Sequence, residues 1–181
     1  MKRSKKFAFV PFCFFAQGIR AEGIVKRYPS VITPIANLLI REEINIIQMP
    51  CPEIDYEGIK RKPASKQKYN NKEYREVCRG YAEKIISLAK KLDQNNYQVL
   101  FILGLENSPS CAVDYLFEQG RKLKGSGVFI EELKNEMERE KVFIPLIGIN
   151  IQGIKKTAEK IEQAISKSGI QKTLLDSIGE G

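Results

Sequence analysis

The sequence predicts a single α/β domain built on a mainly parallel, open, Rossmann-like sheet of about four to five strands, with helices on both faces. Apolar strand-like runs alternate along the chain with segments of helical periodicity. The strand-like runs are apolar on both faces, which is typical of a parallel sheet covered on both sides. The chain has 181 residues, 43% hydrophobic and 29% charged, so it can bury one sizeable core.

The order of elements follows from these patterns. Pro34 suits a first helical turn, and the apolar stripes recur at helical spacing. We expect one domain over 1–181, with a C-terminal helix and tail at 154–181. The predicted strands are 6–12, 44–49, 97–105 and 142–150, the helices 34–43, 71–94, 128–140 and 156–168, and the long loops 60–71 and 120–127.

The formal net charge is +8, which permits anionic or nucleic-acid partners. The lysines are scattered, however, and no basic stripe interleaves with aromatic residues, so a solvated surface is the favoured interpretation. No apolar run approaches the length of a membrane span. The apolar N-terminal segment is short and contains Pro11, so we interpret it as a strand and expect a cytoplasmic protein without membrane contact.

The residue types present restrict the chemistry. Histidine is absent, which removes the commonest general base and histidine-ligated metals. The four cysteines form no CxxC pair, which argues against thioredoxin chemistry and a zinc ribbon. There is no GxGxxG after the first strand and no phosphate-binding loop, so we expect no NAD or ATP requirement.

Three cysteines follow predicted strands. Cys13 ends the first strand, Cys51 follows the second within "MPCPE", and Cys111 lies after the third within "NSPSC". Ligands of open α/β sheets bind at the carboxyl ends of the strands, so these thiols are predicted to meet at one edge. The prolines beside Cys51 restrict its backbone, which suits a rigid ligand. Cys78 lies on the apolar stripe of a helix, where a small buried residue is the simpler explanation.

Three thiols without a fourth protein donor leave one coordination position open. They suit a zinc ion with a bound water or a 4Fe-4S cluster with one free iron, and their spacing does not choose between these. Soft thiolates favour either over magnesium or calcium. Ordinary loop cysteines without a metal remain an equal alternative at this point.

The segments "VPFCFFAQGIRAEG", "IIQMPCPEIDYEG", "LENSPSC" and "GSGVFIEEL" together resemble the thiouracil desulfurase (TudS) group, most closely its small TudS-related desulfidases. The resemblance covers about residues 7–153. It implies that Cys13, Cys51 and Cys111 hold a 4Fe-4S cluster. It also implies non-redox conversion of C=S to C=O in a small thiolated molecule such as a thiopyrimidine. Members often have glycine after the last cysteine, where this chain has Ala112.

The polar residues near these cysteines are the candidates for the remaining roles. Replacing sulfur by oxygen needs an activated water and a proton donor, and a carboxylate is the natural choice without histidine. Glu53 is therefore the predicted acid/base, with Ser108 as a second catalytic candidate; plain loop-holding roles are the alternatives. The predicted substrate-binding residues are Gln48, Asn107 and Ser110.

The second functional hypothesis is non-catalytic. The chain would then be an iron–sulfur or zinc-binding sensor protein, with its basic surface engaging RNA or another anionic partner. Turnover separates the two hypotheses, because a catalyst releases sulfide repeatedly, whereas a sensor binds its partner with marked salt dependence.

Overall fold

A computed structural model describes residues 2–178 and confirms the predicted α/β class. Four parallel strands form one sheet in the order β2-β1-β3-β6, flanked by helices. These strands are β1 (Lys6–Val10), β2 (Asn45–Gln48), β3 (Gln98–Leu105) and β6 (Leu146–Ile149). The central strand β3 is buried along most of its length, as its apolar sequence predicts.

Two groups of helices cover the sheet. On one side α1 (Thr33–Arg41) packs against α6 (Ile154–Ile178), which also contacts β3 and β6. On the other side α4 (Lys72–Gln94) packs against β3 and α5 (Val128–Arg139), and also contacts the short helix α2 (Pro52–Glu57). Both groups bury apolar stripes against the sheet, so the core lies in two layers around it.

The helix predictions hold apart from their ends. Pro34 lies in the first turn of α1, and the side chain of Asn71 caps α4 by accepting the backbone N–H of Tyr74 at 2.9 Å. Helix α6 is longer than predicted. The predicted tail lies partly outside the described residues, since 179–181 are not among them.

Three predicted segments need correction. The predicted loop 120–127 contains β5 (Arg121–Lys124), which pairs antiparallel with β4 (Tyr115–Glu118) in a separate hairpin. The predicted loop 60–71 contains a one-turn helix, α3 (Lys66–Tyr69). The last strand begins only at Leu146, and Phe143, which was predicted to belong to it, is 91% exposed.

Helices long and apolar enough to cross a membrane do not occur between residues 2 and 178. The cytoplasmic location and the extent of the family resemblance along the chain stay predictions.

Candidate metal centre

The carboxyl ends of three neighbouring strands carry the three cysteines. Because β2, β1 and β3 are adjacent and parallel, the loops that follow them emerge at one edge of the sheet. Cys13 lies in the 3-10 turn Phe12–Phe14, Cys51 immediately precedes α2, and Cys111 lies in the loop after β3. The structure therefore brings the loops together as the sequence predicts.

The ionisation of these thiols is influenced by burial and by the charges of neighbouring cysteines. Burial raises the pKa of Cys13 to about 12 and raises the pKa of Cys111 well above its ordinary value. The negative charge of Cys51 adds to both increases, and that of Cys13 adds to the increase at Cys111. The charges of Cys13 and Cys51 thus both make the Cys111 thiolate harder to form, as acidic groups within electrostatic range of one another do.

The donors fit a soft-metal centre in type, since thiolates select zinc and iron–sulfur clusters. Between residues 2 and 178, no three cysteine, aspartate or glutamate side chains lie close enough together to hold a metal ion. Around one tetrahedral zinc, sulfurs lie roughly 3.8 Å apart, given bonds of about 2.3 Å. Binding of a metal ion would have to bring the three cysteine side chains closer together and displace their thiol protons. Metal affinity would therefore depend on pH.

The loop after β1 is held by two polar residues that the sequence analysis missed. Gln17 is fully buried; its side-chain amide N–H donates to the carbonyl of Cys13, and its amide oxygen accepts from Arg20 at 3.2 Å. The positive charge of Arg20 opposes the effect of burial on the pKa of Cys13. A glutamine and an arginine within "FAQGIR", amid apolar residues, were the available signal.

Cys51 has backbone support for its thiolate. Burial raises its pKa, and the Glu53 charge adds to this, whereas the backbone N–H groups of Ile54 and Glu53 favour the charged sulfur. These N–H groups lie in the first turn of α2, which begins at Pro52 directly after the cysteine, and that of Ile54 also donates to the carbonyl of Cys51 at 3.1 Å. The proline on each side fixes the direction in which the cysteine leaves the strand.

Glu53 forms a buried ion pair with Arg61, a residue that the sequence analysis did not select. The guanidinium Nε donates to Glu53 Oε2 at 3.0 Å, and both side chains are nearly excluded from solvent. Arg61 also donates to the carbonyls of Ile19 and Gly58, at 2.9 Å and 3.3 Å. It therefore ties the Cys13 loop to the Cys51 helix.

Ser108 connects Glu53 with the Cys111 loop. Its hydroxyl oxygen accepts the backbone N–H of Ser110 at 3.2 Å and of Cys111 at 3.0 Å, and its O–H lies 3.5 Å from Glu53 Oε1. Two glycines lie so close to this loop that a side chain at either position would collide with it. A Cβ on Gly104 would lie 2.3 Å from the carbonyl oxygen of Cys111, and one on Gly127 would lie as close to Ser110.

The three predicted substrate-binding residues occupy different environments. Ser110 is fully buried, with its hydroxyl 2.5 Å from the hydroxyl of Tyr74, so it faces the core. Gln48 is exposed and donates to the carbonyl of Phe12 beside Cys13. Asn107 is exposed in a left-handed backbone conformation with φ of 66°. Glu53 and Ser108 are therefore brought together, Gln48 and Asn107 lie at the rim, and Ser110 supports the loop.

Cys78 lies behind the site, fully buried on α4. Burial raises its pKa to about 12, and a hydrogen bond from Tyr74 opposes that increase. Its charge would in turn raise the pKa of Cys111, so the thiol lies within electrostatic range of the three. Packing remains the predicted role for this residue.

A second missed carboxylate, Glu106, anchors the far end of the Cys111 loop. It is buried, and it accepts the backbone N–H groups of Asp114 and Tyr115 at 3.2 Å and 2.8 Å. Burial raises its pKa, while those two N–H groups act in the opposite direction. Gly148 leaves the necessary space, because a Cβ there would lie 1.6 Å from Glu106 Oε1.

Comparison with known proteins gives a family and a fold. No family model matches the chain. It is 31% identical over 145 residues to the uncharacterized protein MJ0003 of Methanocaldococcus jannaschii, an alignment that covers 80% of this chain and 86% of the relative. The chain therefore belongs to the same family as that archaeal protein.

Among solved structures, the chain resembles TudS, a [4Fe-4S]-dependent thiouracil desulfidase. The TM-score is 0.51 at 17% sequence identity, and the superposition covers 89% of this chain and 98% of TudS. At this identity the likeness shows a shared fold. It agrees with the TudS resemblance of the sequence at the level of architecture.

Proposed function

We propose that this protein is an iron–sulfur-dependent desulfidase that converts C=S to C=O in a small thiolated molecule. The observation that carries the proposal is that three adjacent parallel strands, β2, β1 and β3, end at one edge of the sheet, with Cys13, Cys51 and Cys111 in the loops that follow them. Its support comes from the TudS-like fold and from the motifs around each cysteine.

The three cysteines are the residues that would hold a 4Fe-4S cluster. A cluster bound by three cysteines supplies one iron without a protein ligand, which acts as a Lewis acid for the substrate sulfur. The protein's contribution is to present three thiolates on short loops. Arg20 beside Cys13 and the α2 backbone beside Cys51 favour the deprotonated sulfurs that binding requires.

The chain's own residues also supply polar groups for the hydrolysis. The overall change is R₂C=S + H₂O → R₂C=O + H₂S, with no net transfer of electrons. Glu53, which pairs with Arg61, is the carboxylate that we assign to the proton transfer from water, and its Oε1 lies 3.5 Å from the Ser108 hydroxyl in the Cys111 loop. Gln48 and Asn107 are the exposed amides at the rim that a heterocycle would meet first.

Turnover tests the proposal. The anaerobically reconstituted protein is incubated with a panel of thiouracils, thionucleotides and thioamides, and sulfide release is measured with loss of the thiocarbonyl absorbance. We expect repeated release from at least one compound, and a decrease of roughly 100-fold or more in Glu53→Gln. An intact cluster without turnover across the panel would favour the non-catalytic sensor hypothesis instead.

A further inference from the structure

One face of the β4–β5 hairpin carries aromatic and basic side chains together. The strands pair with Tyr115 opposite Lys124 and Phe117 opposite Lys122. Side chains alternate between the two faces of a strand, so these four lie on the same face. Tyr115 and Phe117 are 40% and 55% exposed, and both lysines are exposed.

The other face of the hairpin contacts the protein through β4, whereas Leu123 and Arg121 of β5 are exposed on it. Leu116 is buried there, opposite Leu123. The carboxylate of Glu118 accepts the backbone N–H of Lys66 at 2.8 Å, which fastens the hairpin to the loop before α3. The solvent-facing surface of the hairpin therefore carries positive charge, without an acidic side chain among its four members.

The hairpin has a defined shape. Its turn consists of Gln119 and Gly120, both with positive φ of 50° and 75°, the conformation that matches the natural twist of paired strands. The ammonium of Lys122 lies 3.9 Å from the ring centroid of Tyr115, a cation–π contact that orders both side chains. Because that contact covers one ring, Phe117 offers the larger free aromatic face.

We propose that this face binds single-stranded nucleic acid. Such strands are held by lysines that meet the phosphates and by aromatic rings on which bases stack. The rings of Tyr115 and Phe117 lie two residues apart, about 7 Å along the strand, so separate bases can reach them. The positive charge of the face and the net charge of +8 complement a polyanion. This inference goes beyond the desulfidase proposal and does not require a bound cluster.

The hairpin also lies next to the candidate metal centre. It begins four residues after Cys111, and the carbonyl of Tyr115 accepts the N–H of Asn107 at 2.9 Å. The carboxylate of Glu106 accepts the backbone N–H of Tyr115 at 2.8 Å. A nucleic-acid strand bound to the hairpin would therefore run beside the rim of the candidate metal centre.

Fluorescence anisotropy with labelled 12-nucleotide oligouridine and oligothymidine tests the proposal on the full chain. We expect Phe117→Ala to weaken binding roughly 5- to 150-fold, the usual range for loss of one stacked base, and Tyr115→Ala to weaken it less. The double variant Lys122→Ala/Lys124→Ala should reduce the slope of log K against log salt by about 1.4. Comparable affinity for both oligonucleotides would indicate recognition by stacking. Preference for oligouridine would indicate that the ribose is recognised as well. Both outcomes support the proposal.

Controls come from surfaces away from the hairpin. Phe143→Ala removes an exposed aromatic ring, and Lys155→Ala/Lys156→Ala removes two exposed charges on α6. Neither should change binding, and circular dichroism shows whether each variant is folded. The proposal fails if wild-type protein does not bind at low salt, or if the control variants weaken binding as much as the hairpin variants. Binding to vesicles of anionic lipid without binding to either oligonucleotide would also overturn it.

Discussion

Arg61→Met breaks the ion pair that links two of the cysteine loops. The side chain of Arg61 is 4% exposed, and its guanidinium pairs with Glu53 while donating to the carbonyl of Ile19. Removing one partner of a buried pair costs about 3–5 kcal/mol, because the other charge stays buried without compensation. For a chain of this size that free energy corresponds to a melting temperature lower by roughly 6–20 °C.

Urea denaturation monitored by circular dichroism on the metal-free protein measures this loss. Arg41→Met is the matched control, because Arg41 pairs with Glu42 and Glu162 on the surface, with its side chain 64% exposed. Exposed pairs contribute about 0–1 kcal/mol, so the control should stay near wild type. A loss below 1 kcal/mol in Arg61→Met would refute the role given to this pair. Equal losses in the two variants would refute it as well.

Three further predictions concern packing, ligands and pH. Gly148→Ala should destabilise the protein by about 1–3 kcal/mol in urea, since its methyl group would overlap Glu106, whereas Gly80→Ala on α4 meets no atom within 4 Å and should stabilise slightly. Serine at any of the three site cysteines should abolish cluster retention, measured by iron content, whereas Cys78→Ser should retain iron and lose stability. Burial would raise the pKa of Glu131, but hydrogen bonds from Lys66 and Arg75 outweigh burial and lower this pKa. The stability that Glu131 contributes is therefore present above the unfolded-state pKa of about 4.5 and is lost as pH falls through the lower pKa of the folded state. The Glu131→Gln variant should therefore lose less stability than wild type on acidification, and parallel melting curves from pH 7 to pH 3 would contradict this.

The fold was predictable because its signals are local. The apolar runs of β1, β2 and β3 and the stripes of α1, α4 and α5 each arise within one segment. The β5 strand was missed because all four of its residues are exposed, so "RKLK" carries no apolar alternation. β5 follows β4 directly after the turn at Gln119 and Gly120, and the glycine of that turn was the single sequence signal for the hairpin.

The site was predictable only in part, for a physical reason. Cysteines after strands meet at a sheet edge by topology alone, so their convergence follows from the strand order. The contacts of Arg61, Gln17 and Glu106 depend on where loops from distant parts of the chain pass one another. Arg61, for example, donates to Ile19, 42 residues earlier, and no sequence periodicity records such a contact.

The basic and aromatic hairpin face illustrates the same point. Along the sequence Tyr115 and Phe117 are separated from Lys122 and Lys124 by a turn, and the lysines look scattered. Antiparallel pairing places them opposite one another. A sequence search for interleaved basic and aromatic residues therefore missed a cluster that forms only when β5 is a strand.

We propose that Cys13, Cys51 and Cys111 hold an iron–sulfur cluster, and the metal content of the protein tests this proposal most directly. Protein purified and reconstituted without oxygen is analysed for iron, acid-labile sulfide and zinc per chain, together with its absorbance near 400 nm. We expect a brown protein with about four irons and four sulfides per chain, as one 4Fe-4S unit requires. Stoichiometric zinc without iron after the same treatment would contradict it.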